Sequence, residues 1–193
     1  MNKKKIEAEA DPHAEDFAVF MEEFLVDSDR ASVVLGAAKI DALLCSLLDH
    51  YLIPNPGTED DLLEGDSPLG TFSARIKMCH RLGLIDAHFA KLLHVFRRLR
   101  NAFAHEVTPS SLSVGSARDR IMVLATPFTD SKFYNQILRD VAKNLNRSLD
   151  DPGVMFRAVL AIFHLELQER MRTTKPLSPP KGDSIVDTAN SLK

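Results

Sequence analysis

Apolar residues recur at three- and four-residue spacing along most of this chain, which is the pattern of helices that bury one face. The pattern predicts helices over about residues 14–26, 29–53, 69–82, 86–104, 117–125, 131–146 and 152–172. Residues 121–124 also fit a short strand. Because every other segment is helix or loop, we expect an all-α fold, a single-domain bundle of six to seven helices.

The two ends of the chain differ from the middle in composition. Residues 1–13 are charged and carry no apolar stripe, and residues 174–193 are rich in Ser, Pro and Gly. We therefore expect a flexible N-terminus over 1–13, a helical domain over 14–173 and a disordered C-terminal tail over 174–193.

Several residues at the ends of these segments favour helix termination or close packing. Asp27-Ser28-Asp29 and Asp86 stand at the starts of helical segments, where their side chains can accept hydrogen bonds from first-turn amides. Gly83 can end a helix in the left-handed conformation. Gly36 lies beside an apolar stripe, where the missing side chain lets another helix approach closely.

Composition narrows the classes of function. The formal net charge is −3, whereas a protein that binds nucleic acid with its whole surface carries a basic excess. Cys45 and Cys79 lie among apolar residues without a Cys-x-x-Cys motif, which predicts two buried, reduced thiols and a reducing compartment. The histidines lack metal-ligand spacing, so we expect no metal and no cofactor.

The N-terminal residues and the apolar segments bear on location. The basic start of the chain is followed by acidic residues and not by an apolar run, which argues against a signal peptide. No uninterrupted apolar stretch reaches the length that crosses a bilayer. We expect a cytoplasmic protein without a membrane segment.

Charged residues fall on apolar faces at several points. Arg75 lies within the apolar arc of the third predicted helix, and Arg100 lies within that of the fourth. Asp29 and Asp41 lie on or beside the apolar face of the second predicted helix. An unpaired buried charge is costly, so we expect a polar cluster inside or at the edge of the bundle, in which the two arginines meet acids such as Asp29 or Asp41. Its predicted members are Asp29, Arg30, Asp41, Arg75 and Arg100. Such a cluster either sets helix registry through ion pairs or lines a pocket for an anion such as a sugar phosphate.

Four ordered segments resemble the signatures of the mannitol operon repressor family. The first combines Asp27-Ser28-Asp29-Arg30 with Leu35-Gly36-Ala37-Ala38, Asp41 and Leu44. The second is the run from Gly65 to Ile76, the third is Leu82-Gly83-Leu84-Ile85, and the fourth is Arg100-Asn101-Ala102-Phe103-Ala104-His105. Together they cover about residues 27–105. The resemblance implies an all-helical bacterial protein that represses genes of mannitol uptake and metabolism.

The fourth segment also resembles the HEPN domains (higher-eukaryote and prokaryote nucleotide-binding domains). The ribonucleases among them cleave RNA without metal through an Arg, a polar residue and a His. By this resemblance Arg100 would stabilise phosphate charge, His105 would transfer protons and Asn101 would orient one of them. In one continuous helix, however, Arg100 and His105 point about 140° apart. A structural alternative is that Asn101 and His105 tie the helix end to the next loop.

The route from a repressor to its operator is the remaining question. Residues 69–104 read as helix, Gly-containing turn and helix, but Asp86 stands where a recognition helix would meet DNA. The arginines of this second helix, which spans about residues 86–104, lie at its opposite end. We therefore expect a non-enzymatic regulator that acts through another regulator or a second copy of itself, by an exposed face of the second or last helix. Direct sequence-specific DNA binding is disfavoured.

Overall fold

A computed structural model describes residues 12–26, 28–55, 57, 62–105 and 111–179. Within these residues the chain forms seven α-helices and no strand, which confirms the all-α prediction. The helices are α1 Pro12–Val26, α2 Asp29–Tyr51, α3 Phe72–Arg81, α4 Ala87–His105, α5 Gly115–Ala125, α6 Lys132–Leu145 and α7 Pro152–Thr173. The ambiguous residues 121–124 belong to α5, which a short 3₁₀ helix follows.

The last helix, α7, occupies the centre of the bundle. It packs against α1, α2, α5 and α6, while α2 packs on its other sides against α3 and α4. The buried side chains form one contiguous cluster. Most of α7 from Pro152 to Leu167 is buried, so this helix offers little surface to a partner. The expectation of an exposed docking face on the last helix is therefore wrong, because α7 is covered from several sides.

Local capping residues explain where the helices begin and end. The Ser28 hydroxyl accepts the Ala31 amide at 3.2 Å at the start of α2. Asp86 Oδ1 accepts the Phe89 amide at 2.9 Å at the start of α4. Gly83 has φ +74, the left-handed conformation expected where α3 gives way to the turn. These three sequence predictions are confirmed.

Gly36 is the point of close approach between α2 and α7. A Cβ built at this position would lie 2.8 Å from Leu160 Cδ2, nearer than side-chain packing allows. The absence of a side chain therefore lets the Leu160 isobutyl group rest on the α2 backbone, as the sequence predicted.

The chain ends differ in part from expectation. Helix α1 already begins at Pro12, and residues 1–11 lie outside the described residues. Residues 174–179 run along the C-terminal end of α2, where the Leu177 amide donates to the Tyr51 carbonyl oxygen at 2.8 Å. His50 Nε2 lies 3.1 Å from the Thr174 carbonyl oxygen. The first part of the predicted tail is thus anchored, and residues 180–193 lie outside the described residues.

The two cysteines differ in burial. Cys79 is fully buried as predicted, whereas Cys45 is only half-buried because α2 turns that position toward the bundle edge.

Among the described residues, α2 is the one helix long and apolar enough to cross a membrane, and 44% of its most apolar 18-residue window is buried. Core helices of soluble proteins share this composition, and the packing of α2 on α3, α4 and α7 accounts for its apolar face.

Candidate functional site

The charged residues predicted to form one cluster divide between two places in the structure. Asp29 lies at the start of α2, in contact with arginines that the sequence analysis did not single out. Asp41 lies three turns further along α2 and pairs with Arg75. Arg30 is exposed and belongs to neither group, because it points away from the bundle in the first turn of α2.

The first group, here the Asp29 cluster, consists of Asp29, Arg147 and Arg157. Arg157 is fully buried, and its Nε donates to the Phe24 carbonyl oxygen at 2.6 Å. Its Nη1 donates to Asp29 Oδ1 at 2.8 Å, and Arg147 Nη1 donates to the same oxygen at 3.0 Å. The cluster therefore joins the end of α1, the start of α2 and the N-terminal part of α7. Its geometry is that of a structural ion-pair network.

Gly153 makes room for this network. A Cβ at Gly153 would lie 2.7 Å from Asp29 Oδ1 and 2.8 Å from Arg147 Nη1. Arg157 itself could have been found from the sequence, since it is the one Asp, Glu, Lys or Arg residue between positions 152 and 165. A lone charge within a long apolar stretch of helix needs a buried partner.

The second group is built on the ion pair between Arg75 and Asp41. Arg75 Nη1 donates to Asp41 Oδ1 at 2.9 Å, which confirms that an arginine of α3 meets an acid of α2. Arg75 Nη2 donates to the Leu63 carbonyl oxygen at 2.8 Å. The guanidinium is therefore held from two sides, and only 13% of its side chain is exposed.

Beside this pair lies an open groove of about 470 Å³, here called the arginine groove. It is bounded by the middle of α2, by the residues that lead into α3 and by the C-terminal half of α4. The lining residues are Ala37, Ala38, Asp41, Ala42, Gly70, Thr71, Phe72, Ser73, Arg75, Arg97, Arg100 and Asn101.

The lining of the arginine groove has an excess of positive charge. It contains three arginines and one carboxylate, Asp41, which is engaged by Arg75. Arg97 is half-buried, and its Nε is buried without a hydrogen-bond partner in the described part of the chain. Burial, followed by the charges of Arg97, Lys77 and Arg98, lowers the pKa of nearby His94 below its ordinary value. The C-terminal half of α4 is therefore a region of positive potential.

Arg100 lies in the groove and not in the core. The sequence placed it within the apolar arc of α4, but its side chain is exposed and its Nη1 donates to Asn101 Oδ1 at 3.2 Å. The prediction of a buried Arg100 paired with an acid is wrong. Helical phase gives the direction of a side chain, but not whether another helix covers it, and α2 and α3 leave this edge of α4 open.

The structure also bears on the geometry of the HEPN-like triad. Helix α4 continues to His105, so Arg100 and His105 project from one helix about 140° apart. His105 is exposed and does not line the arginine groove, whereas Arg100 and Asn101 do. The alternative prediction, that Asn101 and His105 contact the next loop, would involve residues 106–110, which lie outside the described residues.

The groove collects residues from separate parts of the sequence. All lining residues except Ala42 and Arg97 belong to the first, second and fourth segments that resemble the repressor signatures. Arg97 was not a predicted site residue, because its position on α4 is adjacent to the apolar stripe and only the placement of α3 makes it part of a site. Among the described residues, no group of three or more His, Cys, Asp or Glu side chains has the arrangement of a metal site.

No protein-family model, curated protein or solved structure matches this chain. Function is therefore inferred from the arginine groove together with the segments that line it.

Proposed function

We propose that this protein is a non-enzymatic transcriptional regulator of the kind that the resemblance to mannitol operon repressors implies, acting through a protein partner. The observation that supports the proposal is the convergence of three resembling segments on one accessible groove. Arg100 is exposed and Asn101 is half-buried at the surface of the groove. Polar residues at the surface add little to stability, so their place in a shared motif favours a role in binding.

The start of α4 argues against direct reading of DNA. Asp86 caps this helix and is exposed, in the position from which a recognition helix contacts base edges and phosphates. The hydrogen bond from the Phe89 amide lowers the pKa of Asp86, so the carboxylate stays ionised. A negative charge at this point repels the DNA backbone, which favours a route through a partner protein.

Helix α2 has an exposed apolar face, which α7 lacks. Leu35 is 49% exposed, and Ala38 and Ala42 are exposed on the same side of the helix. The partner that we propose is another regulator or a second copy of this chain, bound over this face. Such a complex would cover one wall of the arginine groove.

Deletion of the gene tests the regulatory role. We expect transcripts of mannitol uptake and metabolism genes to rise in the deletion strain and to fall again when the wild-type gene is restored. Purified protein alone should give no sequence-dependent mobility shift on the corresponding promoter over a salt series. Unchanged transcript levels in the deletion strain would remove the proposal.

A HEPN-like nuclease is the second candidate. Its support is that Arg100 and His105 are both exposed at the end of one helix, where a second chain could complete a site that one chain does not form. Incubation of labelled RNA with wild-type protein and with His105→Ala separates the two functions. Cleavage by the wild type that is lost in the variant would establish the nuclease, and intact RNA in both would eliminate it.

A further inference from the structure

We infer that the arginine groove binds the phosphate group of a small organic phosphate monoester. Positive charge in the groove exceeds what its own acid balances, since Asp41 is the one carboxylate in the lining and already pairs with Arg75. Arg97 and Arg100 have no ion pair in the described part of the chain. Two uncompensated guanidinium groups that face one concave site form an anion-binding arrangement.

The two arginines are placed to act on one anion. Arg97 and Arg100 are three residues apart on α4, so they lie on the same side of the helix. The Arg97 Nε is buried and has no hydrogen-bond acceptor among the described residues. The same holds for the Nε of Arg75, whose other nitrogens are fixed by Asp41 and by the Leu63 carbonyl. An oxyanion in the groove would supply the acceptor that these donors lack.

The beginning of α3 adds donors on a second side of the groove. Thr71 caps this ten-residue helix through its hydroxyl, which accepts the Ala74 amide at 3.2 Å. The amides of Phe72 and Ser73 belong to the first turn and have no acceptor within the helix. Both residues line the groove, so the positive end of the α3 dipole faces the same space as the arginines.

The third wall of the groove determines the class of ligand. Helix α2 contributes Ala37, Ala38 and Ala42, whose methyl groups provide an apolar surface opposite α4. A volume of about 470 Å³ is in the range of small-molecule sites. Arg98, the remaining arginine of α4, is exposed outside the lining, so the positive charge is concentrated in the groove. A compact phosphate ester fits this arrangement better than a nucleic-acid strand.

This inference does not depend on the proposed function. Ligand binding is measured on the purified chain, whereas the regulatory role is measured as transcript levels in cells. A protein that binds phosphate esters and leaves transcripts unchanged keeps the site and loses the regulator, and the reverse outcome keeps the regulator and loses the site.

Calorimetric titration of the full chain tests the inference. The probes are inorganic phosphate and glucose 6-phosphate at millimolar concentration and constant ionic strength. We expect both to bind, the ester more tightly because its carbon chain contacts the alanine wall. Arg100→Met and Arg97→Met should each weaken binding at least about tenfold, since each removes a charge-assisted hydrogen bond. Arg98→Met is the matched control and should leave the affinity unchanged.

Three results would overturn the inference. The first is the absence of a heat of binding with both inorganic phosphate and glucose 6-phosphate. The second is an equal loss of affinity in Arg98→Met, which would mean that binding follows the overall charge of α4. The third is tight binding of a short single-stranded RNA that glucose 6-phosphate does not displace, which would assign the groove to a polymer. If Arg97→Met fails to fold, Arg100→Met still decides the outcome, because Arg100 is exposed and lies outside the core.

Discussion

Arg157 donates a hydrogen bond to Asp29 across 2.8 Å and so joins the central helix to the start of α2. Because Arg157 is fully buried, replacing the carboxylate that its Nη1 contacts by a neutral amide breaks a buried ion pair, which is costly. We expect Asp29→Asn to lower the free energy of unfolding by roughly 3 kcal/mol or more. Urea denaturation followed by circular dichroism measures this change.

Arg30→Ala is the matched control for that variant. Arg30 follows Asp29 directly but is exposed, so its removal should cost less than about 0.5 kcal/mol. Equal losses in the two variants would mean that the effect belongs to the first turn of α2 and not to the buried pair.

The helices and one of the charged pairs were predictable from the sequence. Ser28, Asp86 and Gly83 mark helix ends by local chemistry alone, which needs no knowledge of the fold. Helical phase also predicts that Arg75 meets an acid of α2, because each charge lies on or beside an apolar face, but it leaves Asp29 and Asp41 as alternatives, and the structure selects Asp41.

The rest of the site depended on which helices are neighbours. Arg100 was expected in the core, but its direction on α4 meets an open groove because no helix covers it. Arg97 became a site residue only through the position of the residues that lead into α3. Arg157 is missed when charges are compared only with the apolar stripe of an amphipathic helix, because α7 is buried on most sides and has no single apolar face around this position.

The two cysteines should differ in reactivity. Cys79 is fully buried, and burial raises its pKa to about 12, so the reactive thiolate is scarce at neutral pH. Cys45 is half-buried on α2. We expect iodoacetamide at about pH 8 to modify Cys45 in the folded protein and to modify Cys79 only after unfolding, as read by peptide mass spectrometry.

The variant Cys45→Ser provides the control for this experiment. It should take up no label while folded and one label in denaturant. Labelling of the folded variant at the rate of a free thiol would contradict the buried position of Cys79.

Tyr134 should make stability depend on alkaline pH. Its hydroxyl is buried without a hydrogen-bond partner in the described part of the chain, and burial raises its pKa from 10.0 to about 12. Above pH 10 the unfolded chain releases a proton that the folded chain retains, so stability falls as the pH rises toward 12. We expect Tyr134→Phe to reduce this slope and to change stability at neutral pH by no more than about 1 kcal/mol, with either sign.

Comparing the wild-type protein with Tyr134→Phe isolates the contribution of the tyrosine hydroxyl to the pH dependence of stability. Cys79 also ionises late, with a pKa raised to about 12, but it is present in both proteins and cancels in the difference. Thermal unfolding at a series of pH values provides the slopes. Identical slopes for wild type and Tyr134→Phe would show that this hydroxyl does not titrate in the unfolding reaction.

Gly70 connects the loop of residues 62–70 to the arginine groove. A Cβ at this position would lie 2.1 Å from the Gly65 carbonyl oxygen, which is a backbone atom and cannot move aside by rotation. The loop is held by the hydrogen bond from the Leu69 amide to the Leu62 carbonyl at 2.9 Å, and its Leu63 carbonyl fixes Arg75. Gly70→Ala should therefore displace the loop, lower stability by about 1–3 kcal/mol and weaken phosphate binding.

Gly65→Asn is the control, because Gly65 has φ +57, which asparagine tolerates, and nothing lies within 4 Å of its built Cβ. If Gly65→Asn weakens phosphate binding as much as Gly70→Ala, the backbone contact at Gly70 is not what shapes the groove.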